Sequence, residues 1–302
     1  MRIVWNILKV VGIVLLAVIA LAAFILVMAM LTPFVPDNYM KTVKTGGEIE
    51  AKYLAMGSHG VKYAEAEAPG EWEKFQAYYP AELEQGGTYP VVVFANGTGV
   101  KASKYKALFR HLASWGFIVL GNEDPSTVTG ASADAVLEWL LGENENPDSV
   151  FWGRVDVEHI GISGHSQGGV AAFNAVNRQT HRDLYTCGVS LSPTQLELAQ
   201  AIGLDYDPAE TNIPMLVLAT PENDVITPDG MDVLFDAMGG EKVCAQRKGM
   251  DHGKMLYSGD GYVTAWFRWL LLGDQEAAGA FTGDSPELAS NPLYQDVRLE
   301  LK

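Results

Sequence analysis

Three residues of this 302-residue chain have the types and surroundings that nucleophilic acyl transfer requires: Ser166, Asp224 and His252. Ser166 stands in Gly164-His165-Ser166-Gln167-Gly168, a G-x-S-x-G sequence that is common by itself. Its setting is more specific. An apolar strand pattern, His159–Ser163, precedes it, and a helical pattern beginning Val170-Ala171-Ala172 follows. A serine on such a sharp strand-to-helix turn is held in strained backbone angles, and the flanking glycines leave room for the neighbouring strand and helix. A serine hydroxyl is a weak nucleophile until a neighbouring base removes its proton.

Of six histidines, His252 in Gly249-Met250-Asp251-His252-Gly253 is the one that follows the last strand of the series. His59 lies in an early turn, His111 on a helix, His159 at a strand start, and His181 at a helix end. These four read as structural. His165 lies within the elbow and its side chain is expected to point away from the reaction. The carboxylate that orients the base should follow the preceding strand, where Leu218–Asp224 offers Glu222 and Asp224; Asp224 is the better placed. Asp251 adjoins His252 in sequence and suits a surface role. The order Ser166, Asp224, His252 is the chain order of α/β-hydrolases. An oxyanion hole would use the backbone N–H of Gln167 and a second N–H from Asn96-Gly97-Thr98-Gly99, with Thr98 as the donor. This chemistry needs no cofactor, and no CxxC or HExxH spacing announces a metal.

Positioning these groups requires a sheet whose strands end on one side. Short apolar runs alternate with helical patterns, which predicts a mostly parallel sheet flanked by helices. Two early strands fall within Tyr53–Tyr79, the second near Phe75–Tyr79. Further strands are expected at Val91–Ala95, Phe117–Leu120, His159–Ser163, Gly188–Leu191, Met215–Ala219 and Lys242–Arg247. Helices are expected at Tyr105–Trp115, at Ser132–Leu141, after Gly164 through about Asn177, and at Tyr262–Leu272. About 23 residues separate the Gly188–Leu191 and Met215–Ala219 runs, too few for a large lid domain.

From Val10 to Leu31 no charged residue occurs, a run of 22. Roughly 20 apolar residues span a bilayer as a helix, and secretory signals usually have shorter apolar cores. Residues 1–9 are therefore expected as a short cytoplasmic end, 10–31 as a single transmembrane anchor, 32–50 as a tether and 51–302 as the catalytic domain. Arg2 and Lys9 before the span favour a cytoplasmic N-terminus, with the domain outside the membrane. If the segment is cleaved, the product is secreted.

The chain carries 21 basic and 37 acidic residues, a net charge of −16. Residues 1–44 hold Arg2, Lys9, Lys41 and Lys44 against Asp37; the remainder holds 17 basic and 36 acidic residues, net −19. Such a surface disfavours nucleic acid and anionic headgroups. Cys187 and Cys244 fall on strands that should not be neighbours, so free buried thiols are expected. Nothing in the sequence speaks to oligomeric state.

Several stretches resemble the α/β-hydrolases of the dienelactone-hydrolase, chlorophyllase-like and bacterial cutinase-like polyester hydrolase branch. They are Phe94-Ala95-Asn96-Gly97, Leu112–Phe117, Gly164–Gly169, Glu222–Pro228, Asp251-His252-Gly253 and Ala265–Leu270, within about residues 75–281. The resemblance implies an α/β-hydrolase fold and a carboxylic ester hydrolase. It gives Ser166, Asp224 and His252 the triad roles and the Thr98 and Gln167 amides the oxyanion hole. The chain departs from the polyester hydrolases at Asn96, at Gln167 and near Ser192-Pro193-Thr194, where no aromatic clamp stands, so polyester specificity does not follow. An acyltransferase on the same triad, or a silent hydrolase fold serving as a binding module, are the alternatives.

Overall fold

The computed structural model describes residues 33–302. The expected anchor at 10–31 lies outside them; among the described residues no helix is long and apolar enough to cross a membrane. A compact body runs from Val35 to Lys302.

Its centre is one sheet of nine strands among the described residues: β1 (Val61–Glu67), β2 (Lys74–Pro80), β3 (Tyr89–Ala95), β4 (Ile118–Asn122), β5 (Val155–His165), β6 (Tyr185–Leu191), β7 (Met215–Ala219), β8 (Lys242–Arg247) and β9 (Tyr294–Glu300). The order across the sheet is β1-β2-β4-β3-β5-β6-β7-β8-β9. β4, β3, β5, β6, β7 and β8 are mutually parallel, whereas β2 is antiparallel to β1 and β4, and β9 to β8. The parallel strands are buried on both faces, hence the unbroken apolar runs Val91–Ala95 and Met215–Ala219.

The helices used below are α1 (Tyr39–Thr42), α2 (Glu48–Leu54), α3 (Lys106–Ser114), α4 (Ala131–Glu145), α5 (Gln167–Arg178), α6 (Leu196–Ala201), α7 (Pro228–Ala237), α8 (His252–Ser258) and α9 (Asp260–Leu272). On one sheet face Val92 and Phe94 pack with Leu108 and Phe109 of α3 and Phe267 of α9. On the other, Val91 and Val93 pack with Val136 and Leu137 of α4 and Ala172 of α5. Each fully buried side chain of this size contributes about 1.5–3 kcal/mol relative to exposure. This two-sided core fixes the strand ends that carry the loops of interest.

The structure adds to the expected elements at three places. The two early strands expected within Tyr53–Tyr79 are β1 and β2, and ahead of them residues 48–54 form α2, which packs an apolar face on the core through Tyr53 and Leu54. Residues 35–50 fold onto the body instead of trailing as a tether: Val35 and Tyr39 are fully buried. β9 was absent from the expected series; its sequence, YQDVRLE, alternates at a half-exposed edge and presents no apolar run. Between β6 and β7, residues 192–214 hold only the short α6 and one 3-10 turn, Pro208–Glu210. Cys187 and Cys244 are free and buried on β6 and β8, with β7 between them, and burial pushes both thiols well up from their ordinary range.

Candidate active site

The strand register brings the relevant loops to one edge. Ala95 at the end of β3 pairs with Gly164 of β5, His165 with Leu191 of β6, Leu191 with Leu218 of β7, and Ala219 with Gln246 of β8. The segments after β3, β5, β6, β7 and β8 therefore emerge side by side.

Ser166 joins β5 to α5 with φ 59° and ψ −121°. A side chain other than glycine at positive φ is strained, at a cost of about 1–3 kcal/mol. Two glycines make the turn possible. A Cβ at Gly164 would lie 2.0 Å from the Gly168 carbonyl oxygen, and one at Gly168 would lie 2.1 Å from the Ala95 carbonyl oxygen. The Ser166 amide donates to Leu191 O at 2.9 Å, which fixes the turn on β6. Its side chain is half-buried, and among the described residues its hydroxyl holds no hydrogen bond. Catalytic hydrogen bonds are commonly loose before substrate binds.

His252 opens α8, and its Nδ1 lies 2.7 Å from Oδ1 of Asp224. With a carboxylate as partner, that nitrogen carries the proton and donates. Asp224 is held on every side. Oδ1 also accepts from the Val225 amide at 2.7 Å. Oδ2 accepts from Ser192 Oγ at 2.6 Å, the Thr220 amide at 2.9 Å and Thr220 Oγ1 at 3.2 Å. Burial acts to raise the Asp224 pKa, but hydrogen bonds from His252, Ser192 and the Thr220 amide outweigh it and hold the carboxyl below the usual value. The Asp224 side chain is 1% exposed and that of His252 27%, so the pair is dry on one side and open on the other. The backbone couples the two loops as well: the His252 amide donates to Asn223 O at 3.1 Å.

Glu222 is exposed and contributes only its carbonyl, to Thr220 Oγ1 at 2.8 Å. Asp251 caps α8 and pairs with Lys254 at 2.6 Å, the surface role expected of it.

The side chain of His165 does not point away from this group, contrary to expectation. It is buried, its Nε2 donates to the main-chain carbonyl of His252 at 2.7 Å, and the two rings lie 4.6 Å apart. Burial, and then the nearby His252 charge, push its pKa down to about 4, so it is neutral at pH 7.

The loop after β3 sits beside the elbow, and its supports are explicit. The Gly97 amide donates to Tyr105 Oη at 3.1 Å, Thr127 Oγ1 donates to Asn96 O at 2.7 Å, and the Gly99 amide donates to Pro125 O at 2.9 Å. Asn96 Nδ2 donates to the carbonyls of Asn122 and Asp124 at 2.7 and 3.0 Å. Thr98 at the tip is exposed and its amide holds no backbone acceptor among the described residues. Gln167 begins α5, where the first amides of a helix lack intrahelical partners. Its side chain is buried, with Oε1 unpaired among the described residues.

The supporting roles of Ser192, Thr220 and the His165 ring were not foreseen. Ser192, with φ 45°, follows β6 directly, which was a usable signal for a residue at the strand-end edge.

Comparison with known proteins agrees with the resemblance read from the motifs. Residues 77–206 match the family model described as chlorophyllase. That stretch contains Thr98, Ser166 and Gln167 and ends before Asp224 and His252. The chain is 31% identical over 155 residues, 47% of its length, to a protein of Citrus unshiu named chlorophyllase-1, chloroplastic. It is 30% identical over 156 residues, 50% of its length, to a protein of Streptomyces coelicolor named bis(hydroxyethyl) terephthalate hydrolase. The chain spans less than half of these curated relatives, 44% of each.

Proposed function

We propose that this protein is a serine hydrolase of the α/β-hydrolase fold that cleaves carboxylic esters through an acyl-enzyme intermediate. The observation that carries the reading is the Asp224–His252 pair at 2.7 Å, standing at the same sheet edge as a serine whose backbone is strained into the elbow conformation. The names of the two relatives, a chlorophyllase and a terephthalate-ester hydrolase, support the same bond type.

In this reading His252 Nε2 takes the Ser166 proton as Oγ attacks the ester carbonyl. Asp224 keeps the proton on Nδ1 and stabilises the imidazolium. The Thr98 and Gln167 amides receive the oxyanion. His252 returns its proton to the departing alcohol, then activates water to release the acid. The short β6–β7 connection leaves the serine without a large lid. Residues 10–31 anchor the chain in a membrane, with the catalytic body outside.

The test is Ser166→Ala assayed with p-nitrophenyl butyrate, alongside fluorophosphonate labelling of the parent. Loss of turnover by at least a thousandfold, with labelling at Ser166 alone, is expected. Unchanged turnover in the alanine variant overturns the assignment.

A further inference from the structure

The chain is strongly acidic, yet one cleft is not. A cleft of about 460 Å³ opens between Thr42–Lys44 and the turn after β8. Four cations line it: Lys44, Arg247, Lys248 and Lys254. The carboxylates that face them are Glu50, which pairs with Arg247 at 2.5 Å, and Asp251, which pairs with Lys254 at 2.6 Å. Lys44 and Lys248 have no carboxylate partner among the described residues. In a protein of net charge −16, two unmatched ammonium groups beside an arginine form a local reversal of sign.

The cleft is built as well as charged. Arg247 is 1% exposed, held by Glu50, by Tyr294 Oη at 2.8 Å and by the Lys44 carbonyl. Its Nε–H is buried without a partner among the described residues, and its side chain forms part of the cleft wall. A buried donor left unused is what an incoming acceptor oxygen completes. Beside Thr42 and Gly249, the rest of the wall is apolar: Val43, Met250, Leu293 and the ring of Tyr257. Cations with an adjoining aliphatic wall fit a molecule that has an anionic head and a hydrocarbon tail. Val43 also stands only twelve positions after Leu31, the end of the apolar run.

We propose that this cleft binds an anionic amphiphile, its phosphate or carboxylate head on Lys44, Lys248 and Arg247 and its chain along Val43, Met250 and Leu293. The favoured source is an anionic phospholipid of the membrane that residues 10–31 would enter; the acid released by ester cleavage shares the chemistry. The site adjoins the turn that leads to His252, but its occupancy requires no turnover.

The experiment is calorimetric titration of the full chain in detergent with dihexanoyl phosphatidate, dihexanoyl phosphatidylcholine, decanoate and inorganic phosphate. Phosphatidate is expected to bind at least tenfold more tightly than phosphatidylcholine or inorganic phosphate. The double variant K44Q/K248Q should weaken it at least fivefold while keeping parental ester turnover and melting temperature. Decanoate that displaces phosphatidate assigns the site to both sources; decanoate that does not assigns it to the lipid head. Equal affinity for phosphatidylcholine, equal affinity for inorganic phosphate, or indifference to K44Q/K248Q overturns the proposal. Because these readouts are binding constants, their failure is distinct from failure of the ester hydrolase reading.

Discussion

His165 donates from Nε2 to the main-chain carbonyl of His252 across 2.7 Å, with its ring 4.6 Å from that of His252. The residue before the proposed nucleophile thus braces the backbone of the residue proposed as its base. The contact spans 87 positions in sequence, and it joins the end of β5 directly to the start of α8.

His165→Leu leaves the His252 carbonyl without this donor. A buried acceptor deprived of its partner costs about 1–3 kcal/mol. Turnover of a p-nitrophenyl ester is expected to fall about tenfold in kcat, which corresponds to about 1.4 kcal/mol, with KM little changed. His165→Gln retains an N–H donor and should recover part of the loss. Stability carries a second signature. The folded pKa of about 4 lies below the ordinary 6.5, so between those values the unfolded chain binds the extra proton. This group therefore makes stability rise with pH across that window, by up to about 3 kcal/mol. Denaturant titrations at pH 5 and 7 should show that His165→Leu lacks this part of the slope; an unchanged slope contradicts it.

Ser192 holds the oxygen of Asp224 that His252 does not use. In Ser192→Ala, Oδ2 keeps only the Thr220 donors, and the carboxyl pKa rises toward its ordinary value. A fivefold to tenfold fall in kcat/KM is expected. The lowered Asp224 pKa contributes stability that is present above about pH 4 and lost as pH falls through the folded value. Acid unfolding followed by circular dichroism should therefore begin at a higher pH in the variant.

A second histidine–aspartate pair lies deep in the core and serves structure. His111 Nδ1 is 2.6 Å from Asp260 Oδ2, both side chains are 0% exposed, and Tyr39 Oη donates to the same carboxylate. Burial alone would lower the His111 pKa, but Asp260 outweighs it and raises it. Removing one member of a buried pair costs about 3–5 kcal/mol. Asp260→Asn should lower the melting temperature by ten degrees or more, while turnover per labelled serine stays at the parental value. The raised pKa means that the pair's contribution is full below about 6.5 and declines as pH rises through the folded value.

The same Tyr39 contact sets the limit for truncation. Removing residues 1–34 should leave a folded, fluorophosphonate-reactive body, because that body begins at Val35. Removing residues 1–50 deletes Val35, Tyr39 and Glu50, all buried, and strips Arg247 of its carboxylate. That variant should be insoluble or unfolded by circular dichroism. A soluble, cooperative melt would refute this account of the segment.

The parallel centre of the fold was legible because its strands are largely buried and several, such as Val91–Ala95 and Met215–Ala219, read as apolar runs; β7 and β8 have the bounds expected of them. Asp224 and His252 stood out because they follow those runs directly. Edge elements carried no such mark. β9 is half solvated and α2 buries only one face, so neither shows a continuous hydrophobic signature. The braces escaped for a different reason: His165 reaches a main-chain carbonyl, and no side-chain pattern encodes which carbonyl will be near. Tyr39 likewise meets Asp260 across 221 positions, and Glu50 meets Arg247 across 197, only through the fold.

β9 also covers one lateral edge of the sheet. The outer edge of β8, with Val243 and Cys244, is covered in register by Leu299 and Arg298. At the opposite edge, β1 shows water Lys62, Glu65 and Glu67, charges that discourage strand addition. A chain that ended before Tyr294 would expose the unpaired backbone of β8 beside an apolar core. Such an edge is a template for strand addition, so β9 guards the sheet as much as it completes it.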